Sequence, residues 1–212
     1  RNTTLAAVKR DHIAQRLIGP FVFTHVGRSF DGMQYSLERP ANNFTFAAAV
    51  PTRGVFQTDG WGWNRIAFGY GAYSHDWGQG HHAAETRVFM IEYDDWRHIV
   101  KSDNRPLAVR RGDTGNIRIA TFGGHSVHAL DTQAGTVDVL IWGAVQTGRW
   151  GALSHRATAI DGQVGFQPKV LPKVKPWLRT GFTMGSGSSD PNGKEHGTFF
   201  QILPTPRIYA RY

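Results

Sequence analysis

Two acidic residues two positions apart, Glu92 and Asp94, are followed at once by a third, Asp95. Paired carboxylates of this kind suggest glycoside hydrolysis, in which two acids flank the scissile bond of a sugar. Positions two apart on one strand face are a poor geometry for that task, because the two acids must stand on opposite sides of the sugar ring. We therefore interpret these acids as partners of neighbouring arginines, and not as catalytic groups.

A second group of candidate residues is His81, His82 and Glu85, which could hold Zn²⁺ if the segment were helical. Gly78 and Gly80 favour a loop instead, and so loose a pattern has many false positives. The 10 histidines form no recognisable triad with Ser and Asp, and the chain contains neither a phosphate-binding glycine loop nor a dinucleotide fingerprint. We predict no enzyme activity, no metal and no cofactor.

A third group consists of arginines and acids that lie on separate predicted strands. A guanidinium stays charged and binds a planar carboxylate through two hydrogen bonds, so such a group suits anionic solutes. The acids make the surface mixed and not uniformly cationic. The predicted pore-lining residues are Arg28, Arg53, Arg65, Arg118, Arg179, Glu92, Asp94 and Asp138.

The elements that would position these residues are strands, because apolar residues recur mostly at every second position. The alternation is clearest along Val137, Val139 and Ile141, with Asp138 and Leu140 between them. Around Ile160 the parity slips, which predicts a bulge. We predict strands near 3–12, 28–39, 43–55, 63–75, 86–98, 116–129, 136–149, 152–167 and 175–186, and from 207 onward. Short and long connections alternate between them, as they do between the two rims of a barrel.

The composition supports an all-β chain and excludes several other classes. The 212 residues include 25 Gly and no Cys, and only 19% are charged. These values exclude a coiled coil, a helical repeat and a disulfide framework. The net charge is +8, yet Lys and Arg cluster on no single element beyond 169–175, so we expect no nucleic-acid partner.

The second face of the predicted strands distinguishes a membrane barrel from a soluble sandwich. It carries mostly Gly, Ala, Ser, Thr and Gln, whereas a soluble face would be rich in Lys and Glu. We predict an apolar, lipid-facing surface made of Phe44, Phe46, Ile66, Phe68, Phe89, Ile91, Val139, Ile141 and Phe182. Aromatic residues at strand ends predict a girdle at the membrane interface, made of Trp61, Trp63, Tyr73, Trp77, Trp96, Trp150 and Trp177.

Two stretches, 16–32 and 187–211, resemble segments of the bacterial alginate export family of outer-membrane proteins. The residues that carry the resemblance are Arg16, Gly19, Arg28, Phe30, Asp31, Gly32, Asp190, Gly193, His196, Gly197, Pro204, Pro206, Arg207 and Arg211. The resemblance implies an antiparallel transmembrane β-barrel of 16–18 strands in the outer membrane of a Gram-negative bacterium, surrounded by lipid. It also implies the passage of an anionic polysaccharide such as alginate.

The chain begins at Arg1 without an initiator Met and stops at Tyr212 within a predicted strand. We therefore expect residues 1–212 to be one barrel domain, truncated at both ends, and hence an incomplete, open part of the larger barrel. Two alternatives remain open, namely a porin-like channel for small solutes and a soluble β-sandwich that binds or degrades carbohydrate. The Asp/Asn-rich loop 186–196 is either a solvated hairpin loop or a Ca²⁺ site.

Overall fold

A computed structural model describes residues 3–9, 17–18, 30–52, 64–78, 80–170 and 173–203. These residues form two short helices and one β-sheet. The helices are α1 (Thr3–Val8) and α2 (Leu107–Gly112), and the strands are β1 (Phe30–Arg39), β2 (Asn42–Pro51), β3 (Ile66–Trp77), β4 (His82–Asp95), β5 (Ile117–Asp131), β6 (Gly135–Trp150), β7 (Leu153–Pro168), β8 (Leu178–Gly185) and β9 (Glu195–His196).

The sheet is an antiparallel meander in which each strand from β1 to β8 pairs with the next one along the chain. Strand β9 adds a short parallel pairing to β7, at Ser154 and His155, beyond the end of β8. Among the described residues nothing pairs β1 with β8, so this sheet is not closed. The expectation of an all-β chain is confirmed, and the predicted strands from 28 to 186 correspond to β1 through β8.

The first predicted strand, 3–12, is wrong, because residues 3–8 form α1. Thr4 and Val8 are buried, and their spacing of four places both on one side of a helix. Ala6 and Ala7 between them favour helix over strand. The last predicted strand, from 207 onward, lies outside the described residues.

The two faces of the sheet differ in burial. On the covered face, Ile119 is fully buried and Tyr93 is 2% exposed. Segments from both ends of the described chain pack together over this face. The Leu203 N–H donates to the Leu17 carbonyl at 2.8 Å, and Ile202 belongs to the same core. We call the opposite face the exposed face. Neither of the two hydrophobic clusters among the described residues contains a chain segment that packs over it.

The predicted lipid-facing surface is wrong for β3 and β4. Ile66, Phe68 and Ile91 are buried in the covered face, and Phe89 packs against the same core. Both strands have apolar or small residues on both faces, so their alternation alone does not identify the outer side. The remaining members of the predicted set lie on the exposed face, as their register with the neighbouring strands shows: Phe44, Phe46, Val139, Ile141 and Phe182.

The predicted bulge at Ile160 is also wrong. Strands β6 and β7 pair without interruption from Trp150 and Leu153 to Gly135 and Pro168. The strand is regular, but its apolar residues change sides: those in the first half of β7 lie on the covered face, and those in the second half lie on the exposed face.

The connections between the strands lie at two opposite rims of the sheet. Turns at 40–41 and 132–134 are short, and so is the β6–β7 turn at 151–152 on the opposite rim. The long β4–β5 connection, 96–116, contains α2 and lies at that opposite rim as well. No helix in the described part of the chain is long and apolar enough to cross a membrane.

Candidate functional site: an apolar belt and a polar covered face

The exposed face carries an apolar belt with members on every strand from β1 to β8 except β3, where Gly71 lies between Phe46 and Met90. Met33 is 78% exposed, Ile141 61% and Phe182 60%. The register makes the belt continuous, since Met90, Phe122 and Val145 are direct cross-strand neighbours. The belt consists of Met33, Tyr35, Phe46, Val88, Met90, Phe122, Ile141, Val145, Ile160, Val164, Leu178, Phe182 and Met184. An uncovered apolar surface of this extent indicates contact with another apolar phase or with a partner.

Charged and polar side chains border the belt at both rims. At one rim, the Arg118 Nε donates to the Asp94 Oδ1 at 2.7 Å and lies 3.5 Å from the Glu92 Oε1. At the other rim, His82 stacks on His128, with 3.1 Å between the Nε2 and Nδ1 atoms. The belt is thus an apolar zone between two polar edges.

The covered face contains a buried ionic group near α1. Glu85, which is 3% exposed, forms an ion pair with Lys9. Its other oxygen lies 3.1 Å from the Nε2 of His125. Beside them, the Nε of Arg87 donates to the Ser74 Oγ at 2.6 Å.

A second buried group connects β6 and β7 to the segment that follows β9. The Gln146 Nε2 donates to the Phe200 carbonyl at 2.7 Å, and its Oε1 accepts the Phe200 N–H at 2.9 Å. The Nδ1 atoms of His155 and His196 lie 2.9 Å apart, and His196 stacks on Trp150 at 4.3 Å. Burial lowers the pKa of His196, so this ring is neutral at pH 7.

A third group joins β6, β7 and β8. Arg179 forms an ion pair with the fully buried Asp138 and donates to the Gln163 Oε1 at 3.1 Å. The Trp177 Nε1 donates to the other oxygen of Asp138 at 2.7 Å. The Arg179 guanidinium also lies 4.8 Å from the centre of the Trp177 ring, within cation–π range.

The rim connection 96–116 has its own buried ionic core. Arg105 donates to Asp103 and Asp113, at 2.8 Å in each pair. Burial alone would raise the pKa of Asp113, but hydrogen bonds from the Ala152 N–H, Arg105 and the Gly115 N–H lower it below its usual value. Asp103 shows the same balance, with Arg105 supplying the largest opposing hydrogen bond.

Only two of the predicted pore-lining residues, Asp138 and Arg179, share the covered face, where they contact each other. Glu92, Asp94 and Arg118 lie on the exposed face, so the prediction of one shared face is wrong for them. Their strands have small residues on both sides, which hides the parity, and the β4–β5 register places Asp94 directly opposite Arg118. Whether any of these residues lines a pore stays a prediction.

The other predicted pore-lining arginines lie away from the covered face or outside the described chain. Arg65 is exposed and immediately precedes β3, where its carbonyl accepts the Trp96 N–H at 3.0 Å. Arg28 and Arg53 lie outside the described residues. The predicted aromatic girdle is wrong for Trp150 and Trp177, whose side chains pack with covered-face groups.

Among the residues that carry the first resemblance, the described ones are Phe30, Asp31 and Gly32, which belong to β1. Phe30 packs edge-on against Phe68, with 5.3 Å between ring centroids. Asp31 is exposed. At Gly32 the backbone comes so close to β2 that a Cβ would lie 2.1 Å from the Ala48 carbonyl oxygen, so this position requires glycine.

In the second resembling stretch, Asp190 and Gly193 form a turn, and the Asp190 Oδ1 accepts the Asn192 N–H at 2.9 Å. The Gly197 N–H donates to the Ser188 Oγ at 2.6 Å, which fixes the return of the loop beside β9. The remaining residues of the resemblance lie outside the described residues: Arg16, Gly19, Arg28, Pro204, Pro206, Arg207 and Arg211.

The structure also separates two residues that the sequence places close together. His82 and Glu85 lie on opposite faces of β4, so they do not converge on one ion.

Sequence reasoning missed the buried histidines His125 and His155. Both sit at the same parity as the buried apolar residues of their strands, which was the signal available.

Compared with protein-family models, curated proteins and solved structures, the chain matches none. What can be said of its function therefore rests on the two faces of its sheet.

Proposed function

We propose that this chain is part of an outer-membrane β-barrel that conducts anionic solutes. The observation that carries the proposal is the contrast between the faces of the sheet. The apolar belt is uncovered, whereas the opposite side buries the charged groups Glu85 and Asp138 beside its apolar core and holds a half-buried Arg179. A water-soluble sheet buries its apolar face, but a membrane barrel turns that face toward lipid.

The topology and the strand lengths support the same proposal. Next-neighbour antiparallel pairing throughout β1–β8 is the arrangement of membrane barrels. Strands β3 to β7 contain 12 to 16 residues, which exceeds the roughly 9–11 that a tilted strand needs to cross the hydrocarbon core. Because β1 and β8 have free edges in the described sheet, the proposed barrel is completed by further strands.

Two features favour anions as the solute. The chain has a net charge of +8, which raises the local concentration of anions. On the covered face, Arg87 donates to a hydroxyl and has no carboxylate within salt-bridge distance among the described residues. An anionic polysaccharide is the solute that the sequence resemblance suggests, and small anions are the alternative on the same fold.

The membrane setting can be tested with one belt substitution and one matched control. Ile141→Arg places a charge at the centre of the belt on β6, and in phospholipid vesicles it should lower the free energy of unfolding by about 2–4 kcal/mol. Val170→Arg, at a 78% exposed turn position outside the sheet, should have little effect. Urea unfolding followed by tryptophan fluorescence measures both. Equal effects, or recovery of the wild-type protein in plain buffer, would contradict the proposal.

Conduction is tested in planar bilayers on the complete barrel that contains this chain, without substitutions. Under a KCl gradient, the reversal potential should show anion preference, and the preference should grow at low salt because screening weakens. Oligomeric uronates added to one side should reduce the current if a polysaccharide passes, whereas a small-solute channel should be insensitive to them. No conductance, or cation preference, would overturn the anion proposal.

A further inference from the structure

A cavity of about 450 Å³ opens on the covered face beside β1–β6. Its size is within the usual range for sites that bind small organic molecules. Most of its wall is apolar and aromatic, and Arg87, His125 and Gln34 are the polar side chains among the described lining. The apolar part of the wall includes Leu17, Phe30, Phe68, Phe89, Ile91 and Trp142.

Arg87 is the cation of this cavity. Three other described arginines, Arg105, Arg118 and Arg179, each contact at least one carboxylate. The guanidinium of Arg87 instead donates its Nε to the Ser74 hydroxyl, and no described carboxylate lies within salt-bridge distance. A half-buried guanidinium without a counterion gains charge-assisted hydrogen bonds when it binds an anionic group.

His125 supplies a second unsatisfied group at the same place. It lies directly opposite Arg87 in the β4–β5 register, so the two side chains are neighbours on the covered face. The His125 side chain is 2% exposed, and its Nε2 faces Glu85. Its Nδ1 is buried and has no partner among the described residues. With the proton on the Nε2 that donates to Glu85, the neutral ring leaves Nδ1 as an acceptor, which a hydroxyl or N–H group of a ligand can fill.

We propose that this cavity binds a small monocarboxylate with an apolar body, whose carboxylate contacts Arg87 and whose body lies against the aromatic wall. The proposal names a solute class for the channel and in that respect rests on the proposed function. A polyuronate is a poorer fit, since its hydroxyl-covered rings would leave polar groups against Phe30, Phe68 and Trp142 without partners.

The test uses 3-phenylpropionate as the probe, titrated calorimetrically into the purified full chain. Arg87→Gln should weaken binding by about 10-fold or more, because a hydrogen bond to a charged group contributes roughly 1.5–3 kcal/mol. Arg118→Gln, which removes an arginine from the exposed face, should leave the affinity within about twofold of wild type. Ala49→Phe adds a ring to the cavity wall, so it should also reduce binding while Arg87 is retained.

Two further probes separate the contributions of charge and apolar body. 3-Phenyl-1-propanol has the same body without the charge, and glucuronate has the charge without the body; both should bind at least 10-fold more weakly than 3-phenylpropionate. Unchanged affinity in Arg87→Gln, or equal binding of either probe, would overturn the proposal. Because binding is measured at equilibrium, a chain that binds 3-phenylpropionate but does not conduct refutes the channel alone, whereas one that conducts without binding refutes the cavity alone.

Discussion

At the scale of single residues, Asp113 connects three parts of one rim. Its carboxylate accepts hydrogen bonds from Arg105, from the Gly115 N–H and from the Ala152 N–H in the β6–β7 turn. The pKa values of Asp113 and Asp103 are both held below the usual range. A lowered carboxyl pKa stabilises the fold above the unfolded value of about 3.9, and this stabilisation is lost as the pH falls through the folded value.

Asp113→Asn should therefore lower the free energy of unfolding at pH 7 by about 3 kcal/mol, because Arg105 loses one of its two buried partners. It should also reduce the loss of stability between pH 5 and pH 2, since one depressed carboxyl is removed. Urea unfolding in detergent micelles at several pH values measures both effects. Asp76→Asn, at an exposed end of β3, is the control. An acid dependence unchanged from wild type would contradict the assigned role of Asp113.

Gly151 in the β6–β7 turn has a left-handed backbone, with φ at +61°, and a Cβ there would lie 2.4 Å from the Asp113 carboxylate oxygens. Gly151→Ala should destabilise the protein by at least about 1–2 kcal/mol from backbone strain alone. Gly162→Ala, in β7 with open space around its Cβ position, should be close to neutral. Thermal unfolding of the two variants in the same detergent compares them, and equal midpoints would show that the turn tolerates a side chain.

At the scale of elements, the segment after β9 is attached to the sheet through Gln146. Its amide bonds both the N–H and the carbonyl of Phe200, whose ring packs against Tyr93 and Trp150. Gln146→Leu replaces the amide with an apolar side chain of similar size. The N–H and the carbonyl of Phe200 then lose their partners, which costs roughly 1–3 kcal/mol for each group when it is buried.

Hydrogen exchange should therefore become faster in residues 198–203 of Gln146→Leu, while the β5–β6 ladder stays protected. Thr147→Val, one position along β6 and on the opposite face, is the matched control and should show no change in that segment. Uniformly faster exchange over the whole sheet would mean that Gln146 supports the sheet and not this attachment.

The strands themselves were predictable because period-two alternation is a local signal. Strand β6 carries it throughout, and its predicted bounds differ from the observed ones by one residue at each end. The faces of β3 and β4 were not predictable, since Phe68 and Tyr70 on one side compete with small residues and Tyr73 on the other. The register with β5 identifies their buried side, and that pairing is not encoded within either strand alone.

The candidate site was harder to predict than the strands. Its main contacts join residues far apart in sequence, as in the pairs of Lys9 with Glu85 and of Gln146 with Phe200. The sequence predicted that Asp94 balances a neighbouring arginine, but it identified neither Arg118 as the partner nor the exposed face as the place. Local alternation specifies that a residue is turned inward, whereas contact between two inward residues depends on how the whole chain packs.

At the scale of the whole molecule, the segments that pack against the covered face would not fit inside a closed barrel of eight strands. In barrels of about eight strands, the side chains of the strands nearly fill the interior by themselves. Here the helix α1 packs near Val127 and Leu140, and Phe199 and Phe200 pack against the core around Trp142 and Trp150. A sheet that accommodates these additional elements must curve less than a closed barrel of β1–β8.

Cysteine cross-linking tests this openness directly, because the chain contains no cysteine of its own. Ser36→Cys in β1 combined with Thr183→Cys in β8 should give no cross-link within one chain, even with a short bifunctional maleimide that spans an offset of a few residues. Ser36→Cys combined with Thr45→Cys is the positive control, since these residues are cross-strand partners with 3.3 Å between their hydroxyl oxygens. That spacing is compatible with a disulfide. A rapid intramolecular β1–β8 cross-link in the membrane-bound protein would mean that the eight strands close on themselves. The covered-face segments would then have to leave the interior, and the proposed wider barrel would be wrong.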